Sequence, residues 1–140
     1  GRDVPASGVP DEINQIVDGG RYGWPDCWGT GQGTGCAGTL PPAAELEAHG
    51  AAGGLTFYTG DLFPEWRGSA FVTLYGSNSG DPGIGRKVQR VELTETPNGW
   101  TGTVHDFAAG LDRPLDVTTG PDGALYMADF GAGTIYRFSR

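Results

Sequence analysis

The amino-acid sequence predicts an all-β fold, and three features of its composition and pattern support that prediction. Glycine (26) and proline (10) together fill about a quarter of the 140 positions. Because an interior glycine costs a helix roughly 1 kcal/mol, this content argues against a helical bundle. Four Trp, five Tyr and six Phe residues supply large apolar groups of the kind that disordered chains lack. Short apolar runs bounded by turn sequences then predict strands.

Eight apolar runs follow one another along the chain, each short enough to be a single strand. The run at 70–75 contains Phe71-Val72-Thr73-Leu74 and is typical of a strand buried on both faces. The segment 43–48 is about six residues long and lacks a helix cap, so we expect it to be extended or a single turn. Turn sequences such as Pro121-Asp122-Gly123 separate the runs. The runs span 11–17, 54–58, 70–75, 87–93, 103–107, 115–118, 124–128 and 134–138.

An internal repeat groups these predicted strands. The pair of runs 70–74 and 87–93 is echoed by the pair 124–128 and 134–138, each with a glycine-rich connection. Units of 40 to 55 residues made of short strands are typical of the blades of a β-propeller. The chain holds two units and part of a third, so we expect about two to two and a half blades of four-stranded antiparallel sheets. Such a set cannot close a ring, so the remaining blades or identical copies of the chain are expected partners.

Charge and hydropathy limit the other partners. The sequence has 17 acidic and 9 basic residues, a formal net charge of −8. Such a chain repels phosphate, so neither nucleic acid nor an anionic membrane is expected to bind it. No apolar run approaches the roughly 18 residues of a membrane span. Gly1 stands where an initiator Met is expected, which indicates a processed or excised chain.

Two cysteines lie in a glycine-rich loop predicted over residues 26–40. Cys27 and Cys36 are nine positions apart, and no second cysteine or histidine pair follows at the spacing of a zinc site. Two interpretations remain: a local disulfide in an exported protein, or two free thiols. We favour the disulfide, and with it an extracellular or periplasmic location.

Several motifs, in this order and spacing, resemble one known family. They are PDEIN at 10–14, GGRYGWP at 19–25, GLTFY at 54–58, RPLDV at 113–117 and GPDGALY at 120–126. Together they resemble the C-terminal part of the soluble glucose/sorbosone dehydrogenases that depend on pyrroloquinoline quinone (PQQ). The resemblance implies a six-bladed β-propeller and an oxidoreductase acting on sugars. It covers nearly all of residues 1–140, which we treat as one C-terminal portion of such a propeller.

The resemblance also implies that this portion is incomplete as an enzyme. Family members carry the general-base histidine, and most quinone and catalytic calcium contacts, in earlier blades that nothing here matches. We therefore expect the chain to supply one wall of the quinone and sugar pocket and to be inactive alone, so no catalytic residue is assigned. The alternative is a non-enzymatic exported β module that self-assembles through exposed blade edges. A calcium-stabilised adhesion segment is a third interpretation.

Three cationic residues are the cofactor-binding candidates that the resemblance implies. Relatives present Arg-x-Arg-Asp at the start of the last blade, and this chain has Arg113 followed by Leu115 in place of the second arginine. The planar guanidinium of Arg113 suits a quinone carboxylate; the alternative is a salt bridge with Asp112 or Asp116. Arg86 and Lys87 end the glycine-rich loop 76–87 and provide cationic groups there. A solvated hairpin connection is the alternative for that loop.

Glu12 and Tyr22 are the metal candidates. In some relatives this segment holds a structural calcium through a carboxylate and a backbone carbonyl, and calcium takes hard oxygen ligands in such loops.

Each of the two histidines, His49 and His105, is expected to make a structural hydrogen bond.

Three aromatic residues have two possible roles. They would either stack on a sugar or fill the space between blades, and the second role is favoured. They are Trp24, Tyr58 and Trp66.

Overall fold

The computed structural model describes residues 8–77 and 81–140, and the all-β prediction is confirmed there. Those residues form eleven β-strands and one short 3-10 helix, Pro64–Trp66. No helix among them is long and apolar enough to cross a membrane. The strands are β1 Glu12–Ile13, β2 Cys27–Trp28, β3 Gln32–Gly33, β4 Ala44–Glu45, β5 Ala52–Phe57, β6 Ala70–Leu74, β7 Lys87–Thr96, β8 Gly99–Ala109, β9 Pro114–Thr119, β10 Leu125–Asp129 and β11 Thr134–Phe138.

The largest sheet has four antiparallel strands in the order β5-β6-β7-β8. Its long outer hairpin, β7–β8, keeps register from Lys87 opposite Ala109 to Thr96 opposite Gly99, with one irregularity between Val88 and Gln89. Pro97 and Asn98 form the connection, as the turn sequence predicts. Strand β8 is longer than the apolar run at 103–107 because Trp100 and its neighbours continue the pairing beyond that run.

The second sheet has three strands in the order β11-β10-β9. Its β10–β11 hairpin corresponds to the β6–β7 hairpin of the first sheet, which confirms the internal repeat. The predicted partial propeller is therefore seen as one four-stranded blade and one three-stranded blade within the described residues. Two short ribbons, β1–β4 and β2–β3, precede them. The segment 43–48 is extended at β4, as expected.

The innermost strands of the two sheets, β5 and β9, lie side by side and run in the same direction. The hydroxyl of Thr73, on β6, donates to the Leu115 carbonyl at 3.1 Å, near the start of β9. Near the other end, the Thr59 amide is 3.5 Å from Thr119 Oγ1. A Cβ atom on Gly54 would clash with Asp116, so this close approach of the strands requires glycine at position 54.

Aromatic side chains fill the space between the two sheets. Phe63 stacks on Trp66 with ring centroids 3.9 Å apart, and Phe107 contacts both Trp66 and Phe71 at 5.0 Å. Tyr58 is fully buried and donates its hydroxyl hydrogen to the Gly123 carbonyl at 2.5 Å. Tyr58 and Trp66 therefore pack between blades and do not present a face to a sugar.

The opposite face of the four-stranded sheet is covered by the segment that precedes β5. Ala44 and Leu46 pack there on Val72, Leu74 and Val91, all of them buried. The amide of Gly102 donates to the Ala43 carbonyl at 2.7 Å, which ties this cover to β8. The first sheet is thus sandwiched between the second sheet and the N-terminal segment.

The predicted strand at 11–17 is shorter than expected. Only Glu12–Ile13 pairs, with Ala44–Glu45 as its partner. Beyond it, the Tyr22 hydroxyl donates to the Gln15 carbonyl at 2.7 Å and accepts the Val17 amide at 2.8 Å. These side-chain bonds replace the ladder bonds that a longer strand would need.

The cysteine-containing loop holds a disulfide between Cys27 and Cys36, which excludes the free-thiol alternative. Within residues 26–40, β2 and β3 form a small ribbon that pairs Cys27 with Gly33. The amide of Gly29 donates to Glu12 Oε1 at 2.5 Å. The loop is thereby attached to β1.

Candidate functional site

The chain turns repeatedly at one edge of the two sheets. There β5, β7 and β9 begin and β6, β8 and β10 end, because neighbouring strands are antiparallel and β9 runs alongside β5. The Gly76 amide donates to the Gly50 carbonyl at 2.9 Å, and the Leu111 amide donates to the Arg86 carbonyl at 3.2 Å. Residues 47–51, 75–77, 84–87 and 111–113 are together called the Arg113 edge below.

Backbone strain is concentrated at the Arg113 edge. His49, Ala51 and Arg86 have φ values of 58°, 55° and 53°, in the left-handed region that side chains with a Cβ atom rarely adopt. Such conformations persist only where the surrounding structure holds them, and they are frequent at functional sites. The loops of this edge are therefore held in fixed conformations by their mutual hydrogen bonds.

Arg113 stands where β9 begins, with its backbone and its side chain both held. Its amide donates to Asp129 Oδ1 at 2.7 Å, and its carbonyl accepts the Phe130 amide at 2.9 Å. Its guanidinium carbon lies 5.4 Å from the centroid of the Tyr75 ring. The hydrogen bond to Tyr75, with the negative charge of Asp112 nearby, raises the pKa of Arg113 above its usual value. The guanidinium is thus a fixed, partly exposed cation.

Lys87 lies at the same edge but is paired within it. Its Nζ is 3.0 Å from Asp106 Oδ2 and 3.4 Å from Glu47 Oε2, and its side chain is 16 % exposed. Burial lowers the pKa of Lys87, but the hydrogen bond to Asp106 and the charge of Glu47 outweigh it, and the pKa is raised. Lys87 is therefore a charged member of an ion-pair cluster, and its role as a cofactor contact stays a prediction.

The other described residues of the predicted loop 76–87 hold its backbone in place through hydrogen bonds. The Arg86 carbonyl accepts a hydrogen bond from the Leu111 amide, and the Arg86 Cγ atom lies close to Gly76. The Gly83 amide donates to Asp81 Oδ1 at 2.8 Å. Positions 78–80 of that loop lie outside the described residues.

Leu115 and Asp116 follow Arg113 on β9 and do not continue the cationic site. Leu115 is 49 % exposed, and Asp116 Oδ1 accepts the Val117 amide at 2.8 Å. One guanidinium, that of Arg113, is therefore present at the start of β9. Asp112 and Asp116 were the alternative salt-bridge partners of Arg113, and of these the charge of Asp112 contributes to raising the pKa of Arg113.

Glu12 holds the N-terminal ribbons together. Its Oε2 accepts Asn14 Nδ2 at 3.1 Å, and its Oε1 accepts the Gly29 amide. Asn14 Oδ1 is buried and finds no hydrogen-bond partner among residues 8–77 and 81–140. No group of three or more His, Cys, Asp or Glu that could hold a metal is found in the same ranges. A calcium ion here would therefore depend on amide and backbone oxygens beside Glu12.

The two histidines lie apart from one another. His49 is exposed at the strained turn of the Arg113 edge. His105 Nε2 is 3.7 Å from Glu92 Oε2 on the outer hairpin. Trp24, the third aromatic candidate, is 64 % exposed and lines a small surface cavity with His49 and Glu12.

Two residues of this site were missed by the analysis of the sequence. Tyr75 ends the run Phe71-Val72-Thr73-Leu74-Tyr75, and Asp129 ends β10 directly before a glycine turn. A lone aspartate between an apolar run and a turn is a common cap of backbone amides, and that pattern offered the one available signal. The contact between Tyr75 and Arg113 depends on packing between sheets, which no local pattern encodes.

Two antiparallel meanders packed face to face, with their innermost strands parallel, define a segment of a β-propeller. The family model "Glucose / Sorbosone dehydrogenase" matches residues 5–137. The chain therefore belongs to the glucose/sorbosone dehydrogenase family, which comprises sugar dehydrogenases, and the predicted resemblance is confirmed.

Similar proteins agree with this assignment. Aldose sugar dehydrogenase YliI of Escherichia coli is 31% identical over 92% of this chain and 35% of its own length. A crystal structure of a glucose dehydrogenase superposes with a TM-score of 0.67 at 26% identity, covering 94% of this chain and 38% of that chain. The PQQ domain of the pyranose dehydrogenase from Coprinopsis cinerea shares the fold, with a TM-score of 0.63 at 20% identity over 84% of this chain and 40% of that domain. The chain spans about a third of the length of the curated relatives that it matches.

Proposed function

We propose that this chain forms one wall of the pocket in which a PQQ-dependent propeller oxidises a sugar, and that it is inactive without the other blades. One observation carries the proposal: Arg113 is a fixed cation at the edge where the innermost strands of both sheets begin. Loops at such an edge line the mouth of a propeller and hold ligands. The family supplies the substrate class, a sugar.

The residues of the Arg113 edge fit an anionic quinone. A guanidinium presents parallel N–H donors that match a carboxylate and is always charged at neutral pH, and the Arg113 guanidinium lies over the Tyr75 ring. Arg86 would be the second cation, since Leu115 occupies the place of the second arginine. When bound, PQQ supplies the acceptor for the hydride from the sugar. The chain itself holds and orients the quinone and neutralises its charge.

The remaining blades of a propeller are the partners that this proposal requires. Within the described residues, β11 pairs with β10 alone, so its other edge offers unpaired backbone groups. Phe57 and Ile135 are 51 % and 66 % exposed. Identical copies of the chain could cover the same surfaces. A mass measurement in solution distinguishes these two kinds of partner, because a homo-oligomer of the isolated chain would favour identical copies over the remaining blades.

Export from the cytoplasm follows from the disulfide as a further part of the proposal. Disulfides persist in oxidising compartments, and Cys27 and Cys36 are bonded. We propose an extracellular or periplasmic location on that ground.

Reconstitution tests the proposed function. A complete propeller that contains this chain, loaded with PQQ and calcium, should change its visible absorbance and reduce a dye when an aldose is added. The isolated chain should show no turnover under the same conditions, because the general base is expected in another blade. Turnover by the isolated chain, or none by the complete loaded propeller with any aldose, would contradict the proposal.

We also propose that Glu12 and the Tyr22 carbonyl hold a structural calcium ion, with Asn14 completing the set. The buried, unpartnered Asn14 Oδ1 is the observation that fits a cation, because burying an oxygen without a partner is costly. The ion would tie β1 to the loop at 15–22 and take no part in the redox step.

Calcium should therefore stabilise the chain through Glu12. At a concentration about 100 times its dissociation constant, calcium should add about 2.7 kcal/mol, which would raise Tm by about 5–10 °C. The variant Glu12→Gln should lose that response, whereas Glu95→Gln, in the exposed β7–β8 hairpin, should keep it. Thermal melts with calcium and with a chelator measure the effect. An equal response in the chain and in Glu12→Gln would remove Glu12 from the site.

A further inference from the structure

Asp129 is a buried carboxylate whose oxygens accept hydrogen bonds from three backbone amides. It is 2% exposed at the end of β10. Its Oδ1 accepts the amides of Arg113 at 2.7 Å and Ala132 at 3.2 Å, and its Oδ2 accepts the amide of Asp112 at 2.8 Å. One side chain thus joins the start of β9 to the β10–β11 turn.

The carboxylate of Asp129 remains ionised in this position. Burial raises the pKa of Asp129, but hydrogen bonds from the amides of Arg113, Asp112 and Ala132 lower it by more. The net pKa is therefore below its usual value. An ionised carboxylate makes stronger hydrogen bonds to amides than a neutral group does. The restraint on the chain at Arg113 is therefore strong.

The surrounding turn leaves the Arg113 side chain little freedom. The Phe130 amide fixes the Arg113 carbonyl. A Cβ atom on Gly131 would lie 2.5 Å from Asp112 Cγ and 3.0 Å from Arg113 Cγ, so the turn backbone packs directly against both side chains. The guanidinium lies over the ring of Tyr75.

We propose that Asp129 is the positioning residue of Arg113 and sets the direction in which the guanidinium meets a quinone carboxylate. Asp129 itself touches no cofactor; it acts through the backbone of residues 112 and 113. The inference rests on the proposed function for the cofactor, but the positioning effect can be measured on the isolated chain.

The experiment compares ring-current shifts of the Arg113 side chain in two aspartate variants. Because the Arg113 side chain lies over the Tyr75 ring, the ring should shift the Arg113 δ-methylene protons upfield in an NMR spectrum. Asp129→Asn should lose most of that shift, while the ring-current shifts of the Phe71 and Phe107 cluster stay in place. The matched control is Asp122→Asn.

The control removes an aspartate of the same hairpin at its other end. Asp122 accepts Arg137 Nη2 at 2.7 Å and the Ala124 amide at 3.1 Å, and the bond to Arg137 lowers its pKa to about 2. Both substitutions remove one negative charge: Asp129→Asn removes a buried carboxylate, and Asp122→Asn removes the carboxylate that pairs with Arg137. Asp122→Asn should leave Arg113 over Tyr75. A second test variant, Gly131→Ala, presses on the Arg113 side chain with Asp129 intact and should also reduce the shift.

The outcomes separate the inference from the proposed function. In the complete propeller, Asp129→Asn should weaken PQQ binding about tenfold, as for one lost charge-assisted hydrogen bond. Loss of the Arg113 shift in Asp129→Asn and Gly131→Ala, but not in Asp122→Asn, supports the positioning role. An unchanged shift in Asp129→Asn, or an equal loss in Asp122→Asn, overturns it. If the shift is lost but PQQ binding is unchanged, the positioning role stands and the assignment of Arg113 to the quinone fails.

Discussion

Replacing Phe71 with alanine is expected to lower the free energy of unfolding by about 3–5 kcal/mol. Phe71 is fully buried on the face of β6 that meets the second sheet. Its ring contacts Tyr58, Trp66 and Phe107 at centroid distances of 6.2, 5.7 and 5.0 Å. The substitution removes the transfer free energy of the ring and leaves a cavity among stiff aromatic neighbours that cannot collapse to fill it.

Urea unfolding followed by tryptophan fluorescence measures this loss, because Trp66 belongs to the same cluster. The control is Ile135→Ala on β11, where a side chain of 66 % exposure should change stability by no more than about 0.5 kcal/mol. A Phe71 variant as stable as the control would mean that the two sheets are not joined through the aromatic cluster. The propeller-like packing would then lose its main support.

The sheets could be predicted from the sequence because their signals are local. Turn sequences mark both ends of the β6–β7 and β10–β11 units, and a five-residue apolar run fits a strand buried on both faces. In the structure all of Ala70–Leu74 is buried. The repeat then indicated that the two hairpins are equivalent, and their registers agree with it.

The geometry of the site could not be predicted from the same signals. Lys87 is paired with Glu47, 40 positions earlier, and Arg113 lies on Tyr75, 38 positions earlier. The contact of Arg113 arises only when the second sheet packs beside the first, and that of Lys87 only when the segment before β5 packs against the first sheet. The strand at 11–17 is shortened by a contact nearer in the chain, since the Tyr22 hydroxyl takes the groups of Gln15 and Val17 that the strand would have paired.

The cationic edge follows the family pattern only in part. Leu115 stands where the resemblance implied a second guanidinium, while Arg86, whose φ is 53°, lies at the same edge. Quinone binding at this edge would then depend more heavily on Arg113 than on any other residue of the chain. The proposed positioning by Asp129 would make the single guanidinium specific in direction as well as in charge.

Replacing Arg113 with alanine should therefore weaken PQQ binding to the complete propeller by about 10- to 100-fold. Losing hydrogen bonds to a charged group costs about 1.5–3 kcal/mol, and each 1.4 kcal/mol is about tenfold in affinity. The PQQ affinity of Arg113→Lys should lie between that of the unchanged protein and that of Arg113→Ala, because a lysine retains the charge but cannot form the parallel pair of hydrogen bonds. Fluorescence titration of the apo-protein with PQQ measures all three constants.

Arg137→Ala provides the matched control for this experiment. Arg137 lies on the same sheet but is paired with Asp122 at the edge opposite Arg113, so its loss removes a cation without touching the proposed pocket. Equal losses of affinity in the two variants would indicate that overall charge, and not a placed guanidinium, attracts the quinone. An Arg113→Ala protein with unchanged affinity would remove the assignment of Arg113 to the cofactor altogether, and the wall formed by this chain would have to recognise the quinone through another residue.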